Sequence, residues 1–395
     1  MEKFTQDEKD FKSPQMNHNK IILFTCGDSN DISTWSNVPY LFTKTLEEKG
    51  FRLHRVDISP NKTLNRIFNT TSYLIFKRVL KRNACPEFHR TWLHRFITYR
   101  RIKKVTIQNP DIQFNLFLSF AFYNKYSKKP NVLWCDWSDR VVIERLGREP
   151  KFYETASLRH EDNVMKKADK IYTMFPKCKE HMEELYRREI IYINRNVVNT
   201  VFEGEFNIKE NIRIRLLSKT ILFIGNIRYI GAAKELIQAY NILKEKDKSL
   251  ELHIIGMTDE QLEVMDKDIH CHGYLWKNVK EERDLYYSLL HNCKVFVNPA
   301  QQWGGYSSSI EAMYYGCPII VAPYDDFVCE FGENIDFGEY TNGNDLDTTI
   351  ANILYASDEE YSALCKNAYD RVNGYTWNNY VDAFLKSLKE EGILQ

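Results

Sequence analysis

Short apolar runs of strand length alternate along the chain with longer segments in which apolar residues recur at helical spacing. Residues 21–25 and 51–58 form two such runs, and the segment between them, 38–49, has one apolar face and ends at Gly50. Further strand-length runs lie at 114–120, 132–136, 220–225, 250–256, 269–272, 295–297 and 319–322. This alternation predicts an α/β fold of two doubly wound, Rossmann-like domains that face a cleft.

Five segments are expected along the chain. Residues 1–19 are predicted to form a flexible extension, and 20–202 to form the first Rossmann-like domain. The polar run 203–219 is expected to be an interdomain linker. The second domain is then predicted at 220–375, with a C-terminal helix at 376–395.

Composition and charge narrow the class of protein. The 54 lysines and arginines balance the 54 aspartates and glutamates, so no global field favours nucleic acid. Nine cysteines without a Cys-x-x-Cys favour a reduced, cytoplasmic protein over a disulfide scaffold. The charged N-terminus has no apolar core of a secretory signal, and no run approaches the roughly 20 apolar residues of a transmembrane helix.

A motif of metal-ligand residue types lies at the third strand of the second domain. His270, Cys271 and His272 are ligand types for zinc, but their alternation suits a strand. No second pair of ligands is evident in the sequence. The sequence therefore predicts neither a metal nor another cofactor.

One stretch of the second domain predicts a strand, a glycine loop and a helix in direct succession. The strand is expected at 295–297, and Gly304 and Gly305 allow a tight turn that can approach a ligand closely. Ser307 and Ser308 are residue types that cap helix N-termini. The helix that follows should end at a glycine, with a proline two residues beyond it.

This arrangement has a chemical consequence. Free backbone N–H groups and the positive end of the helix dipole point at the same place, which favours an anion. Glu311 lies about one turn inside the helix and is suited to accept hydrogen bonds from two sugar hydroxyls. The segment therefore predicts a nucleotide diphosphate at the loop with its ribose on Glu311. The alternative is an ordinary strand-loop-helix unit with a solvated Glu311.

The same segment resembles the donor-site signature of retaining GT-B glycosyltransferases of the GT4 kind. The residues that match are Glu311, Ala312, Met313, Gly316 and Pro318. The resemblance implies a GT-B fold, a UDP- or GDP-linked sugar donor in the second domain and a glycan or lipid-linked acceptor in the first. It also implies transfer with retention, no metal, and a last helix that crosses back to the first domain. One departure is Trp303, which stands in place of the family's first glutamate.

The loop after residues 220–224 departs from the family as well. The family carries an arginine and a lysine there, which hold the donor diphosphate, but Asn226 and Gly231 occupy those places. Arg228 is expected to supply the phosphate contact from a shifted position, with Gly225 and Lys234 beside the donor. The alternative for Arg228 is a surface arginine.

Four further residues are candidates for the cleft. Tyr274 is expected to contact the nucleotide base, and Tyr306 belongs to the donor loop. Gly27 follows the first strand, although an ordinary connecting loop explains it equally well. Asp136 lies at the carboxyl end of the strand at 132–136, near the place of a family histidine beside the acceptor, and is expected to assist proton removal. The alternative is that Asp136 caps the next helix.

Two segments carry opposite charge. Residues 77–104 combine ten lysines and arginines with interleaved aromatics, which suits an anionic membrane surface, a solvated helix face or nucleic acid. Residues 325–360 contain no lysine or arginine and are expected to form a solvated acidic face. The membrane alternative places the protein in the cytoplasm, peripheral to the inner membrane face.

The sequence therefore predicts a glycosyltransferase of surface polysaccharide or glycoconjugate synthesis. Two other classes stay open. One is a non-catalytic GT-B-like protein that binds a nucleotide or glycan or acts as a scaffold, and it is favoured by the departures at Asn226, Gly231 and Trp303. The other is a nucleic-acid-binding protein that uses residues 77–104.

Overall fold

Two six-stranded parallel sheets form the centre of the molecule in a computed structural model that describes residues 19–82, 84–193, 196–301 and 306–394. The first sheet has the strand order β2-β1-β3-β4-β5-β6. Its strands are β1 Lys20–Thr25, β2 Arg52–Asp57, β3 Asn115–Leu118, β4 Asn131–Cys135, β5 Lys170–Thr173 and β6 Ile191–Tyr192. Every pair in this sheet is parallel, as crossover helices require.

The second sheet has the order β12-β11-β10-β7-β8-β9. Its strands are β7 Thr220–Ile224, β8 Glu251–Ile255, β9 Ile269–Cys271, β10 Val295–Asn298, β11 Ile319–Val321 and β12 Gly338–Tyr340. Central strands such as β7 and β10 are almost wholly buried, because helices cover both faces of the sheet. The predicted α/β fold with two Rossmann-like domains is confirmed.

Helices cover both sheets. In the first domain they are α1 Val38–Glu48, α2 Lys62–Ser72, α3 Trp92–Gln108, α4 Asp139–Arg145, α5 Thr155–Lys167 and α6 Pro176–Tyr186. In the second they are α7 Ile208–Leu217, α8 Ile230–Lys246, α9 Asp259–Leu262, α10 Lys280–Asn292, α11 Ser307–Tyr314, α12 Asp325–Phe331, α13 Leu346–Leu354, α14 Asp358–Val372 and α15 Trp377–Glu390. None of the helices in the described ranges combines the length and the apolar character needed to cross a bilayer.

The segment predicted as a linker, 203–219, contains helix α7. Arg215 on this helix is fully buried and donates to the backbone carbonyls of Leu290, Cys293 and Tyr315. Although the sequence of α7 is polar, Arg215 on this helix makes a buried contact with the second domain. The domain boundaries themselves stay a prediction, and residues 1–18 of the expected extension lie outside the described residues.

The start of α11 differs from the prediction. Ser307 and Ser308 were expected as caps, but the helix begins at Ser307, and Tyr306 occupies the N-cap position without a side-chain cap bond. The reason is that Tyr306 is fixed by aromatic packing, which sets where the helix starts. The predicted end is confirmed, since Gly316 has a φ of +69° and its N–H donates to the carbonyl of Met313.

Helix α15 packs against the first domain. The indole N–H of Trp134 on β4 donates to the hydroxyl of Tyr380 on α15 at 2.7 Å. Tyr172 on β5 and Ser387 on α15 share a second hydrogen bond at 2.9 Å. The last helix thereby links the C-terminal segment to the first sheet.

Candidate functional site

Strands β7 and β10 end at the same edge of the second sheet. These strands are parallel neighbours, with Ile221 opposite Val295, so their carboxyl ends lie side by side. The β7 loop carries Gly225 to Arg228, and the β10 loop leads into α11 at Ser307. In doubly wound sheets this edge is where ligands bind.

Glycines allow the β7 loop to come very close to the β8 loop. Gly256 has a φ of +104°, and a Cβ atom there would lie 2.4 Å from the carbonyl oxygen of Gly225. Asn226 shapes the same turn, because its side-chain oxygen accepts from the backbone N–H of Arg228 at 3.0 Å. The side chain of Arg228 is exposed and has no ion-pair partner in the described ranges. It is therefore available to an anion at this edge.

Lys234 lies one turn into α8 and points elsewhere. Its ammonium group is 3.7 Å from the carboxylate of Glu263, which follows α9. Both side chains are well exposed, so this ion pair is weak. In this structure Lys234 is directed to the turn after α9.

Glu311 is buried and is the most strongly bound carboxylate of the site. It is 3% exposed, and its two oxygens accept from Lys277 Nζ at 2.9 and 3.1 Å. The hydroxyl of Tyr286 donates to the same carboxylate at 2.8 Å. The alternative of a solvated Glu311 is therefore wrong.

Lys277 and Tyr286 were missed by the sequence analysis. Lys277 follows β9, and its ammonium group lies 4.1 Å from the centroid of the Tyr286 ring, a cation–π contact. Burial, reinforced by the charge of Glu311, raises the pKa of Tyr286 well above its ordinary value, so Tyr286 stays a donor. A lone cation in the loop after β9 was the only available signal.

The carboxylate of Glu311 still has room for a further hydrogen bond. A carboxylate offers about four lone-pair positions, and Lys277 and Tyr286 use three of them. One acceptor position of Glu311 is therefore not used by the described residues. The sequence predicts that Glu311 accepts from two sugar hydroxyls. Binding both would require the carboxylate to give up one of its hydrogen bonds with Lys277 or Tyr286.

Two exposed aromatic rings lie in the same loop as Lys277. The rings of Tyr274 and Trp276 are edge to face with centroids 4.6 Å apart. Both side chains are about half exposed. Each ring therefore has exposed apolar area in the loop that also carries Lys277.

The start of α11 is partly built into the domain interface. Ser307 and Ser308 are half-buried, whereas Tyr306 is buried with its ring against Phe175 of the first domain. The hydroxyl of Tyr306 has no hydrogen-bond partner among the described residues. Its side chain is therefore packed rather than open to a ligand. Trp303, Gly304 and Gly305 lie outside the described residues.

The first domain contributes polar groups at the carboxyl ends of its strands. Gly27 has a φ of +105°, and its N–H donates to Asp57 at 3.0 Å. Asp136 accepts from the backbone N–H of Trp137 at 2.8 Å, and burial raises the pKa of its carboxyl. Ser138 caps α4 instead, so the alternative role of Asp136 as a helix cap is wrong.

The two domains are joined beside Asp136. Asp326 on α12 is 2% exposed and accepts from Arg145 on α4 at 3.0 Å and from the backbone N–H of Lys177 on α6 at 3.0 Å. The Arg145 guanidinium also lies 4.4 Å from the Trp137 ring centroid. The prediction of a solvated acidic face is therefore wrong for Asp326, which bridges the cleft.

Exposed apolar and basic residues are concentrated in the segment 67–104 of the first domain. Helix α2 continues as a π-helix, Tyr73–Val79, on which almost every side chain is exposed. We call the exposed apolar and basic residues of the segment 67–104 the apolar-basic surface. Its exposed apolar members are Ile67, Tyr73, Leu74, Ile75, Val79, Leu80, Trp92, Leu93 and Phe96. Its exposed cations are Lys77, Arg78, Lys81, Arg82, Arg100, Lys103 and Lys104.

Comparison with known proteins agrees with the architecture. Residues 218–354 match the family model of glycosyl transferases group 1. This span contains β7 to β12 and therefore Arg228, Lys277 and Glu311. No curated protein matches the chain in a sequence search.

Solved structures with the same fold include three informative examples. WaaG, a glycosyltransferase involved in lipopolysaccharide biosynthesis, shares 12% identity and a TM-score of 0.62, over 93% of this chain and 98% of WaaG. Sucrose-phosphate synthase from Thermosynechococcus elongatus shares 13% identity and a TM-score of 0.62, over 95% of this chain and 99% of that one. TarM shares 13% identity and a TM-score of 0.52 over 73% of this chain, and the match spans 58% of TarM.

These likenesses establish the fold. The molecule has the two-domain GT-B architecture of glycosyltransferase structures. Its second domain carries the match to glycosyl transferases group 1.

Proposed function

We propose that the chain is a GT-B glycosyltransferase that moves a sugar from a nucleotide-diphosphate donor to a glycan or lipid-linked acceptor. The observation that carries the proposal is the buried Glu311 on α11, the helix that follows β10. Lys277 and Tyr286 both donate hydrogen bonds to its carboxylate. This cluster lies inside the span that matches glycosyl transferases group 1. A carboxylate buried at a ligand-binding edge is costly unless its hydrogen bonds are used, and a ribose hydroxyl uses the remaining one.

The donor is proposed to be UDP- or GDP-linked and to lie along the edge of the second sheet. The base contacts the exposed ring of Tyr274, which Trp276 supports edge to face, and the ribose binds Glu311. The diphosphate then reaches the N-terminus of α11 and the unpaired guanidinium of Arg228. In support, a complex of a S. aureus TarM mutant contains UDP, and that protein shares 15% identity with a TM-score of 0.52.

Catalysis is proposed to be electrostatic, with retention of configuration. Negative charge develops on the leaving diphosphate, and Arg228 and the positive end of α11 are the groups that stabilise it. Since these protein groups supply the charge, the transfer step is expected to survive chelation of metal ions. Asp136, with its raised pKa, is proposed to accept the proton of the acceptor hydroxyl.

The acceptor is proposed to be lipid-linked, which places the enzyme at the cytoplasmic face of a membrane. The apolar-basic surface supports this, because exposed apolar side chains and cations together suit an anionic bilayer. Val79 is 74% exposed and Trp92 is 69% exposed. Surface polysaccharide or glycoconjugate synthesis would supply such acceptors.

A panel of nucleotide sugars in a thermal-shift assay tests the donor site. A ligand at 100 times its Kd should add about 2.7 kcal/mol to the free energy of unfolding. We expect one donor to stabilise the wild type and Arg213→Ala, an exposed arginine on α7. Glu311→Ala and Arg228→Ala should show no ligand-induced shift. Equal shifts in all four proteins would contradict the proposed site.

A second candidate is a non-catalytic GT-B-like binding or scaffold protein. One observation favours it: Lys277 and Tyr286 already occupy most of the acceptor capacity of Glu311. The side chain of Asn226 is likewise used within its own turn. Such a protein would bind a nucleotide sugar without transferring the sugar.

A further inference from the structure

The fold brings a second set of ligand-type side chains to the motif at His270 and His272. Strands β8 and β9 form the edge of the second sheet, and His253 lies directly opposite His270. Glu251 is two residues before His253, and alternate residues of a strand share one face. The sequence alone did not place Glu251 and His253 beside the motif, because the two strands are separated by helix α9.

Three side chains of this edge converge on one point. Ligand atoms of Glu251, His253 and His270 all lie within 4.8 Å of one another. The Glu251 carboxylate is 3.7 Å from His253 Nε2, and the ring centroids of His253 and His270 are 4.6 Å apart. Ligands of a tetrahedral zinc ion, with bonds of about 2.0–2.2 Å, are closer together than this. Small side-chain rotations would close the gap, because Glu251 is half exposed and free to move.

A fourth residue, His272, contacts the other ring nitrogen of His253. His253 Nδ1 and His272 Nε2 share a hydrogen bond of 2.9 Å, with the rings stacked at an interplanar angle of 13°. The Nε2 atom of His253 is thereby left toward Glu251. Metal-bound histidines almost always use their second ring nitrogen in such a bond, which fixes the ring orientation.

We propose that Glu251, His253 and His270 bind one divalent transition-metal ion of the zinc type, with His272 positioning His253. Two imidazoles and one carboxylate are a ligand set for Zn²⁺, and a water molecule completes the four ligands. The site lies on β8 and β9, and strand β7 separates it from β10, so it is not part of the proposed transfer chemistry. The ion would clamp the sheet edge from which the loop with Tyr274 and Lys277 departs.

Cobalt titration of the full-length chain without an affinity tag tests this proposal. Co²⁺ replaces Zn²⁺ and gives strong visible absorption when four-coordinate and only weak absorption in water. We expect one equivalent to bind with the strong spectrum and Zn²⁺ to displace it. His270→Ala and His253→Ala should lower the affinity at least about 100-fold, and His272→Ala about 10–100-fold.

Two control variants separate the site from general histidine binding. His54→Ala, on the first sheet, and Cys271→Ser, between the two histidines of the motif, should bind Co²⁺ as the wild type does.

Glu251→Gln keeps the size of an exposed side chain, so it tests the carboxylate in a folded protein, and it should also weaken binding. Absence of the strong spectrum in the wild type would overturn the proposal. Unchanged binding in both His253→Ala and His270→Ala would overturn it as well. Neither outcome depends on glycosyltransfer.

Discussion

At the scale of single residues, the buried charge of Glu311 is the feature that most needs an explanation. A buried carboxylate is stable only when it is paired and hydrogen-bonded. Lys277 supplies the charge and Tyr286 supplies a neutral donor. The cluster therefore holds the carboxylate in one orientation before any ligand arrives, which is the preorganisation that the proposed ribose contact requires.

Replacing Lys277 by methionine should destabilise the protein. The side chains of Lys277 and Glu311 are 14% and 4% exposed, so the substitution leaves a buried carboxylate without its cation. We expect a loss of about 3 kcal/mol in the free energy of unfolding, measured by chemical denaturation. Lys280→Met is the matched control, because its ion pair with Asp284 is exposed, and it should change stability by less than about 0.5 kcal/mol. Equal losses would show that Lys277 is not structurally engaged.

The buried His94 makes stability depend on pH. Burial, with smaller contributions from His89, Arg101 and Arg95, lowers the pKa of His94 from 6.5 to about 4. Between these values the unfolded chain binds a proton that the folded chain does not bind. Stability is therefore lost as the pH falls from 6.5 towards 4, by up to about 1.4 kcal/mol per pH unit for this histidine.

The variant His94→Gln tests this prediction, because glutamine does not titrate. Denaturation curves across the acidic range should show a shallower decline in stability for the variant than for the wild type. The quantity to compare between the two proteins is the slope of the free energy of unfolding against pH, not its absolute value. An identical slope in the two proteins would contradict the prediction.

At the scale of elements, the π-helix Tyr73–Val79 stands apart from the rest of the fold. Helices of a globular protein bury one apolar stripe, yet this element buries none of its residues. Helix α3 carries further exposed apolar side chains of the apolar-basic surface. These side chains and the cations among them are the basis of the membrane contact proposed above.

Removing the apolar side chains should weaken membrane binding. In vesicles with anionic lipid, we expect the triple variant Val79→Ser, Leu80→Ser and Trp92→Ser to lose at least about tenfold in affinity, or 1.4 kcal/mol. Cosedimentation measures this directly. Leu217→Ser, an 87% exposed leucine on α7, is the control and should bind like the wild type. Binding to nucleic acid but not to vesicles would support the open nucleic-acid alternative, and binding to neither would indicate a solvated helix face.

The elements were predictable from the sequence to the extent that their signals are local. The strand β7, the helix α1 and the end of α11 at Gly316 follow from periodicity and glycine stops. Contacts between distant residues gave no such signal. Lys277 and Glu311 are 34 positions apart, and Arg145 and Asp326 are 181 apart. The sequence could therefore suggest Glu311 as a ligand-binding residue, but it could not identify Lys277 and Tyr286 as its hydrogen-bond donors.

At the scale of the whole molecule, two domains meet across the proposed cleft. Arg145 and the backbone N–H of Lys177 both donate to the buried Asp326. One turn further along α12, Glu330 accepts from the hydroxyls of Tyr192 and Tyr375. Helix α12 of the second domain is therefore, with α15 and the start of α11, one of the elements through which the two halves contact each other.

The central claim is that this two-domain molecule transfers a sugar, and transfer itself is the most direct measurement. The donor that stabilises the protein would be radiolabelled and incubated with membrane and glycan preparations. We expect wild type and Arg213→Ala to release nucleoside diphosphate and to incorporate label into an acceptor. Glu311→Ala and Arg228→Ala should do so about 10²–10³ times more slowly. Binding of the donor by the wild type without incorporation into any acceptor would contradict the claim and favour a non-catalytic binding protein.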